Sequence, residues 1–468
     1  MSTKQPSNPR ATAIAAALVM LVAAMAAQQA RGQAARLASS ATPFESFAIA
    51  TDETPNDIAI ARSLDFAVRD PRAAELIGSL VTSVVFTTSG ASAVLGARER
   101  EFRYATELVP VAYLGKDLDL IDPHELTSMM TNVVLMEHVG NENLEQQMED
   151  IRAGSSGFSV NGLSLTSAGF DEGLAGPSGA EGESGKSVNA PTSAPGNRWG
   201  AYLTGLGEFS DVSSTSDASG YNLDTGGFTL GGDYRISNNF AVGLTGGYTH
   251  TDVNLSNNGD VYGDSGQFAL YATAFTGGLY GDAAVTGGYD SYSSRRTALF
   301  GTASGSTDGG NLGTLFATGY DWKSGGLTIG PTADFQYTHV SIDGFTEHGS
   351  LAPLSIQAQQ VNSLRTSLGM KATYSLKIGP FRAVPELRAA WQHEYGDSTY
   401  SLESNFASGA GIGFKVYGPS VGRDTFLLRA GFSIEINSTF SIYAYYDGEL
   451  ATDNYESNNV SAGVRMAF

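Results

Sequence analysis

The chain has 468 residues and no cysteine, which excludes a disulfide framework and any thiolate metal site. Its formal net charge of −21, from 27 Lys+Arg against 48 Asp+Glu, excludes the basic footprint that a nucleic-acid partner needs. With 57 Gly, 21 Tyr and 23 Phe, the composition favours strands and turns over helical bundles.

The first segment reads as an export signal. Lys4 and Arg10 make a positive start and Ala13 to Ala27 is apolar. Ala24-Met25-Ala26, or the stretch before Ala35, offers a cleavage site. The apolar run is shorter than the about 20 residues a spanning helix needs, so a signal peptide over 1–34 is expected rather than an anchor. No other stretch is long and apolar enough to span as a helix. A membrane location therefore requires a closed barrel.

Residues 35–120 make a short amino-terminal region. Thr54-Pro55 and Asp70-Pro71 each set a capping residue before a proline and predict two short helices. The second would carry Leu76, Ile77 and Leu80 on one face. Val81 to Thr88 is rich in β-formers.

Residues 121–154 predict one long helix. Asp122 is its expected N-cap, Pro123 sits in the first turn, Glu125 reaches back as in a capping box, and Gly154 ends it. Up to Arg152 it would be about 42 Å long, against a bilayer core of about 30 Å. Its first half carries Leu126, Met129, Met130, Val133 and Met136. Asn141 to Asp150 is polar nearly all round and suits a polar lumen better than an apolar core. Residues 155–196 are rich in Gly, Ser, Ala and Pro and read as a flexible linker.

Over 197–468 the period becomes two. Leu364, Thr366, Leu368, Met370, Ala372, Tyr374 and Leu376 alternate with polar or small residues, and Phe426 to Ile436 repeats the pattern. A soluble sandwich also alternates, but its strands are usually about half as long as these segments. Short turns appear at Ser237-Asn238-Asn239, Thr276-Gly277-Gly278, Lys323 to Gly326, Lys377 to Pro380 and Asn437-Ser438-Thr439. Longer polar stretches, Asp211 to Asp224, Gly301 to Gly310, Asp343 to Gln357 and Asp397 to Gly422, read as loops on the other side. The fold class expected is an all-β transmembrane barrel of about twelve antiparallel strands, with the amino-terminal helix through its lumen. Arg365, Lys371, Arg382, Glu386, Arg388, Glu394, Arg429, Glu435, Asp447 and Arg465 share the lumen phase, where charge stays wet.

Catalytic signals are weak. Gly263-Asp264-Ser265-Gly266 resembles a serine-protease nucleophile motif, and Gly396-Asp397-Ser398 a lipase one. Both lie at strand–loop junctions, where Gly, Asp and Ser are ordinary turn residues. His124, His138, His250, His339, His348 and His393 make no paired metal-ligand spacing. No catalytic residue, metal or cofactor is expected.

The residues of the carboxy-terminal region also carry a family resemblance. Arg198-Trp199-Gly200, Trp391 to Tyr395, Gly422-Arg423-Asp424, Tyr446 to Leu450 and the terminal Phe468 make it similar to the autotransporter β-domain of type V secretion. Met148 to Gly154 resembles the helix that precedes such barrels. The resemblance implies a twelve-stranded outer-membrane barrel with a helix in its lumen. It further implies export of an amino-terminal passenger, and Phe468 as the signal read by the barrel assembly machinery. Periplasmic chaperones, outer-membrane lipid and a single-chain barrel go with it. Geometry agrees independently: twelve tilted strands leave a lumen of roughly 10 to 12 Å, the diameter of one helix.

Some members cut themselves in the lumen helix at Asn-Asn-Leu. Here the stretch is Asn141-Glu142-Asn143-Leu144, with Glu142 in the nucleophile's place, so no cleavage is expected. The repetitive passenger usual in the family is missing, since only about 90 residues separate signal and helix. The function expected is a translocator or anchor that displays its own short amino-terminal segment. A barrel enzyme of protease or esterase type and a passive porin-like channel are the alternatives.

Overall fold

The computed structural model describes residues 43–50, 53–68, 70–77, 80, 112–152, 159–160, 163–164, 198–256, 258–436 and 440–466. The expected signal peptide, Val81 to Thr88, most of the 155–196 linker and Phe468 lie outside these residues, as do the side chains of Glu435 and Arg465. Among the described residues no helix is long and apolar enough to cross a membrane.

Twelve long strands form the barrel: β1 Trp199–Val212, β2 Tyr221–Ser237, β3 Phe240–Leu255, β4 Asp260–Thr276, β5 Leu279–Ala298, β6 Gly301–Tyr320, β7 Leu327–Ile342, β8 Gln359–Tyr374, β9 Phe381–Glu394, β10 Asp424–Glu435, β11 Phe440–Leu450 and β12 Tyr455–Met466. Each pairs antiparallel with the next, and β12 returns to β1 with Val464 opposite Leu203. Closure leaves no edge strand, as a backbone in lipid requires. The outward side chains include Leu203, Leu230, Leu244, Leu270, Val285, Phe316, Leu368 and Phe432, all exposed and apolar.

Strands β5 and β6 run 20 residues each, more than the about 9–11 that cross a membrane. Their extra length continues past the apolar band, and there the chemistry of the two faces exchanges. On β3, Phe240 and Leu244 point outward near the short turns, whereas Asp252 and Asn254 point outward near the loops and Val253 and Leu255 turn in. On β5, Leu279 and Val285 give way to Ser291, Ser293 and Arg295 outside and Tyr292 inside. The loopward part of the wall therefore has the polar outside and apolar inside of a water-soluble barrel. This corrects the expected loop at Gly301 to Gly310. Its Ser, Thr, Asp and Gly residues belong to β6, which meets β5 across a tight bend at Leu299 and Phe300.

A repeated contact marks the exchange. In four of the six loopward hairpins an aromatic side chain donates diagonally to an Asp or Asn on the next strand, two residues before its cross-strand partner, and in a fifth Tyr289 stands in the same relation to Asp308. The pairs are Tyr248 with Asp264, Tyr289 with Asp308, Tyr337 with Asn362 at 2.9 Å, Trp391 with Asp424 at 3.0 Å and Tyr446 with Asn458 at 2.6 Å. His250, His339 and His393 lie opposite three of these acceptors, with Nδ1 2.8–2.9 Å from them. Aromatic groups with one polar end suit the level where lipid meets water.

The two long connections also depart from expectation. Residues 343–358 and 395–423 contribute Phe345–Thr346, Leu354–Ile356, Ser401–Phe406 and Phe414–Tyr417 to a four-stranded sheet over the barrel mouth. Onto it packs the amino-terminal helix α2 Pro55–Ala67, and α1 Pro43–Ala50 packs in turn against α2. Thr54 caps α2 in a full capping box with Asp57. Asp70 caps a 3-10 turn at Pro71–Ala73, and Leu76, Ile77 and Leu80 beyond it are buried. Helix α3 Ala112–Asp119 then leads the chain to the mouth.

Helix α4, Ser128–Arg152, runs through the lumen from loop end to turn end. It starts later than expected. His124–Thr127 is a 3-10 turn whose N-cap is Pro123, with no side-chain cap bond. The reciprocal box between Asp122 and Glu125 does not form. The Asp122 N–H is already given to the Leu118 carbonyl at 3.0 Å, and the Asp122 carboxylate accepts from the His124 N–H at 2.9 Å, while Glu125 is buried.

Candidate functional site

The lumen is the candidate site, because there the inward side chains meet the amino-terminal chain. It has two zones. In the loopward zone Met129, Met130, Val133 and Met136 are buried among Tyr221, Leu223, Val253, Val261 and Tyr292. Sparse polar contacts orient them: Thr131 shares a 2.7 Å hydrogen bond with the Tyr221 hydroxyl, and Thr251 Oγ1 donates to Asn132 Oδ1 at 3.0 Å.

The turnward zone is ionic on one side. Glu142, Glu145 and Glu149 repeat at helical spacing and face β7 to β11. Arg388 reaches Glu145 at 2.6 Å and Asp334 at 3.2 Å. Arg429 reaches Glu142 at 2.6 Å and Asp447 at 2.5 Å. Lys371 Nζ lies 2.7 Å from Glu149 and 3.4 Å from Asp321. At the last turn Arg152 pairs with Asp282 and lies over the Tyr280 ring at 3.8 Å, and Arg235 donates to the Ile151 carbonyl. A cation at a helix C-terminus also complements the dipole.

The other side of this half is apolar, which corrects the expectation of a segment polar nearly all round. Leu144, Met148 and Ile151, spaced four and three apart, pack on Tyr202, Ala241, Tyr271, Ala284 and Leu315. The lumen is also drier than expected. The cavity beside His138, Glu142, Arg388 and Arg429 holds about 30 Å³, room for a water or two. Gly313 faces α4 where any side chain would collide with the Glu137 carboxylate, which accepts from Thr286.

Of the ten expected lumen charges, Lys371, Arg388 and Arg429 reach the helix. Arg365 pairs with Glu394 at 3.0 Å, strand to strand, and Asp447 with Arg429. Glu386 is buried beside them, while Arg382 is exposed at the turn end and bonds Ser375 at 2.7 Å. Sequence reasoning missed Asp233, Asp282 and Asp334, although their strand phase was readable. It also missed Arg296 and Glu347, whose pairing needs the fold.

The nucleophile-like motifs are taken apart by strand geometry. Ser265 points inward and donates to Asp290 at 2.6 Å. Asp264 points outward to Tyr248 and His250, so base and hydroxyl lie on opposite faces. In Gly396-Asp397-Ser398, the Asp397 carboxylate accepts the Asn362 N–H at 3.1 Å and serves the turn. Among the described residues no three His, Asp or Glu side chains are grouped to hold a metal.

At the mouth, the Asn56 side chain makes paired 2.9 Å bonds with the backbone of Tyr417, and Ser63 Oγ donates to the Ile412 carbonyl at 2.5 Å. Ser219 N–H donates to His124 Nε2 at 3.0 Å. The helices, the loop sheet and the barrel rim are thus joined where the chain enters the lumen.

Comparison with known proteins matches the autotransporter β-domain family over residues 201–447. An extracellular serine protease of Serratia marcescens is 28% identical over 273 residues, covering 58% of this chain and 26% of that protein. The esterase EstA of Pseudomonas aeruginosa is 26% identical over 288 residues, covering 58% and 43%. The alignment thus spans about a quarter of the protease and under half of the esterase. Among solved structures, the translocator domain of autotransporter NalP from Neisseria meningitidis has a TM-score of 0.48 at 15% identity, covering 58% of this chain and 89% of that one. The β-domain of the Bordetella autotransporter BrkA has a TM-score of 0.45 at 16% identity, covering 58% and 100%. A closed barrel with an apolar outer band, matched by the family over more than half its length, places this chain in the autotransporter β-domain family, as an outer-membrane translocator and anchor.

Proposed function

We propose that this autotransporter carries its own amino-terminal segment to the cell surface and keeps it there, docked on the barrel mouth. One observation supports this above others. Helix α4 enters the lumen at the loop end, and α2, with α1 packed against it, sits on the loop sheet at that same end. The domain layout that follows is a signal peptide over 1–34, a displayed region over 35–120, the lumen helix over 121–154, a linker over 155–196 and the barrel over 197–468. Periplasmic chaperones would deliver the chain, and one copy would complete the barrel.

The role needs no catalysis by this chain. The separation of Ser265 from His250 by the strand, and a lumen filled by its helix, favour display over either hydrolysis or passive conduction. Ile49 is exposed on α1 and the chain has no cysteine of its own. An Ile49→Cys protein on intact cells should react with a membrane-impermeant maleimide. Labelling only after the outer membrane is permeabilised would overturn the export reading.

A further inference from the structure

We propose that α4 is a two-zone register lock that sets where export of the chain stops. The inference rests on the display reading. A polypeptide drawn outward through a barrel has no obvious stopping point, since backbone passes backbone at every step. This lumen supplies one, because its lining changes character along the axis and the helix changes in the same order.

The loopward lining is apolar where it receives Met129, Met130 and Val133, while Glu449 and the Arg365–Glu394 pair line the side beside Val134 and Leu135. The turnward lining offers Arg388, Arg429 and Lys371 to Glu142, Glu145 and Glu149. A shift of one helical turn outward, about 5.4 Å, would carry Glu142 to the level of His138, beside Gln336 and the Glu449 carboxylate, and leave a cation without its partner. A shift inward would press Val133 and Met136 toward the polar side chains of Thr286 and Gln267. Desolvated ions are tolerated only in pairs, so each displaced register leaves unpaired charge on both walls. Arg152, clamped by Asp282 and placed over Tyr280, and Arg235 on the Ile151 carbonyl close the lower end.

Segments ahead of the helix need no such match, because they cross before it arrives. The lock is therefore a property of 128–152, not of the docked helices outside.

The absence of cysteine allows a direct test in the full-length chain expressed in a diderm host. One reporter pair is Asn132→Cys with Thr251→Cys, in contact in the upper zone. The other is Gln147→Cys with Asp233→Cys, in contact at 2.9 Å in the lower zone. Both should form disulfides in most molecules. Replacing both zones together, with Val133→Asp, Arg388→Gln and Arg429→Gln, should cut both yields at least tenfold. The barrel itself should still migrate as a folded, heat-modifiable species. Deleting 43–80 should leave both disulfides at full yield.

Full disulfide yield in the triple variant would overturn the lock. So would loss of both disulfides on deleting 43–80, since the outer helices would then set the register. If the triple variant fails to fold, Arg388→Gln with Arg429→Gln alone should lower the yield of the lower-zone disulfide at least threefold, and an unchanged yield would overturn the proposal equally. Export is read separately by maleimide on Ile49→Cys. A chain cross-linked in register but unlabelled from outside would sink the display reading and leave only the register of the helix, without its export role, standing.

Discussion

Arg296 and Glu347 form a bidentate ion pair, 2.7 and 2.9 Å, in which both side chains are 1% exposed. The remaining guanidinium arm donates to the Leu120 carbonyl at 2.9 Å, and Glu347 also accepts the Leu354 N–H at 3.1 Å. One residue thus ties the tip of β5, the loop sheet and the chain about to enter the lumen. Breaking a buried pair on one side costs about 3–5 kcal/mol. Arg296→Leu should therefore expose residues 112–122 to external protease while the barrel keeps its heat-modifiable mobility. Continued protection of 112–122 in that variant would show that the tie contributes little.

Asp57 gives the docked helices a pH dependence. Burial pushes its carboxyl up to about 7, the charges of Asp119 and Asp122 add to this, and the Thr54 cap bonds only partly oppose it. A carboxyl raised in the folded state binds its proton more tightly there than in the unfolded chain. Its contribution is complete below the unfolded value of 3.8 and is lost as pH rises through about 7. Asp119, raised mainly by burial, acts in the same direction. Protection of 43–77 should accordingly be greater at pH 5 than at pH 8. Asp57→Asn, which can still cap, should flatten that difference; a profile unchanged by the substitution would remove Asp57 from the account.

Gln146→Pro should break α4 where Gln146 Oε1 accepts from Arg429 at 3.2 Å. A proline inside a helix costs about 3 kcal/mol or more. The barrel keeps its own ladder of hydrogen bonds and should still insert. Reconstituted protein should melt at lower temperature and conduct ions more readily than the parent. Unchanged melting and conductance would mean that the helix neither braces nor plugs the lumen.

Phe432 is 46% exposed on the lipid face and Ser433 is fully buried in the lumen. Arg at position 432 meets lipid and costs about 2–4 kcal/mol near the midplane. A wet lumen would accept Ser433→Arg, but this one is packed. Both variants should lower the yield of folded barrel, whereas Ser433→Ala should not. A normal yield for Ser433→Arg would show that space opens around the helix.

The aromatic ring predicts where lipid ends. Asn254→Cys, beyond His250, should react with impermeant maleimide on whole cells, and Leu244→Cys should not. Reaction at both, or at neither, would move the lipid boundary away from the five aromatic–acceptor pairs.

How much could be read in advance depended on what each pattern had to satisfy. The alternation at Leu364 to Leu376 was plain because lipid demands an apolar group at every second position. Glu142, Glu145 and Glu149 were visible as residues, but their cations come from three strands more than 200 residues later, and only the register brings them together. The segment Gly301 to Gly310 looked like a loop because a strand that leaves the membrane needs no apolar outer face. The sheet over the mouth was hidden because strands of two to six residues are too short to show a period. Arg296 and Glu347, 51 residues apart, carry no local signal of partnership.

The exchange of faces along β3 and β5 has a consequence for anything that approaches the cell. What stands above the lipid is a pleated wall braced from inside by α4, with Ser291, Ser293 and Arg295 at fixed spacing on its outer side. An antibody or phage tail fibre would grip this as a rigid, curved epitope built from neighbouring strands. Binders raised against a linear peptide of residues 287–298 would meet the same side chains in the wrong company, half of them turned inward, and would recognise the unfolded chain rather than the living cell.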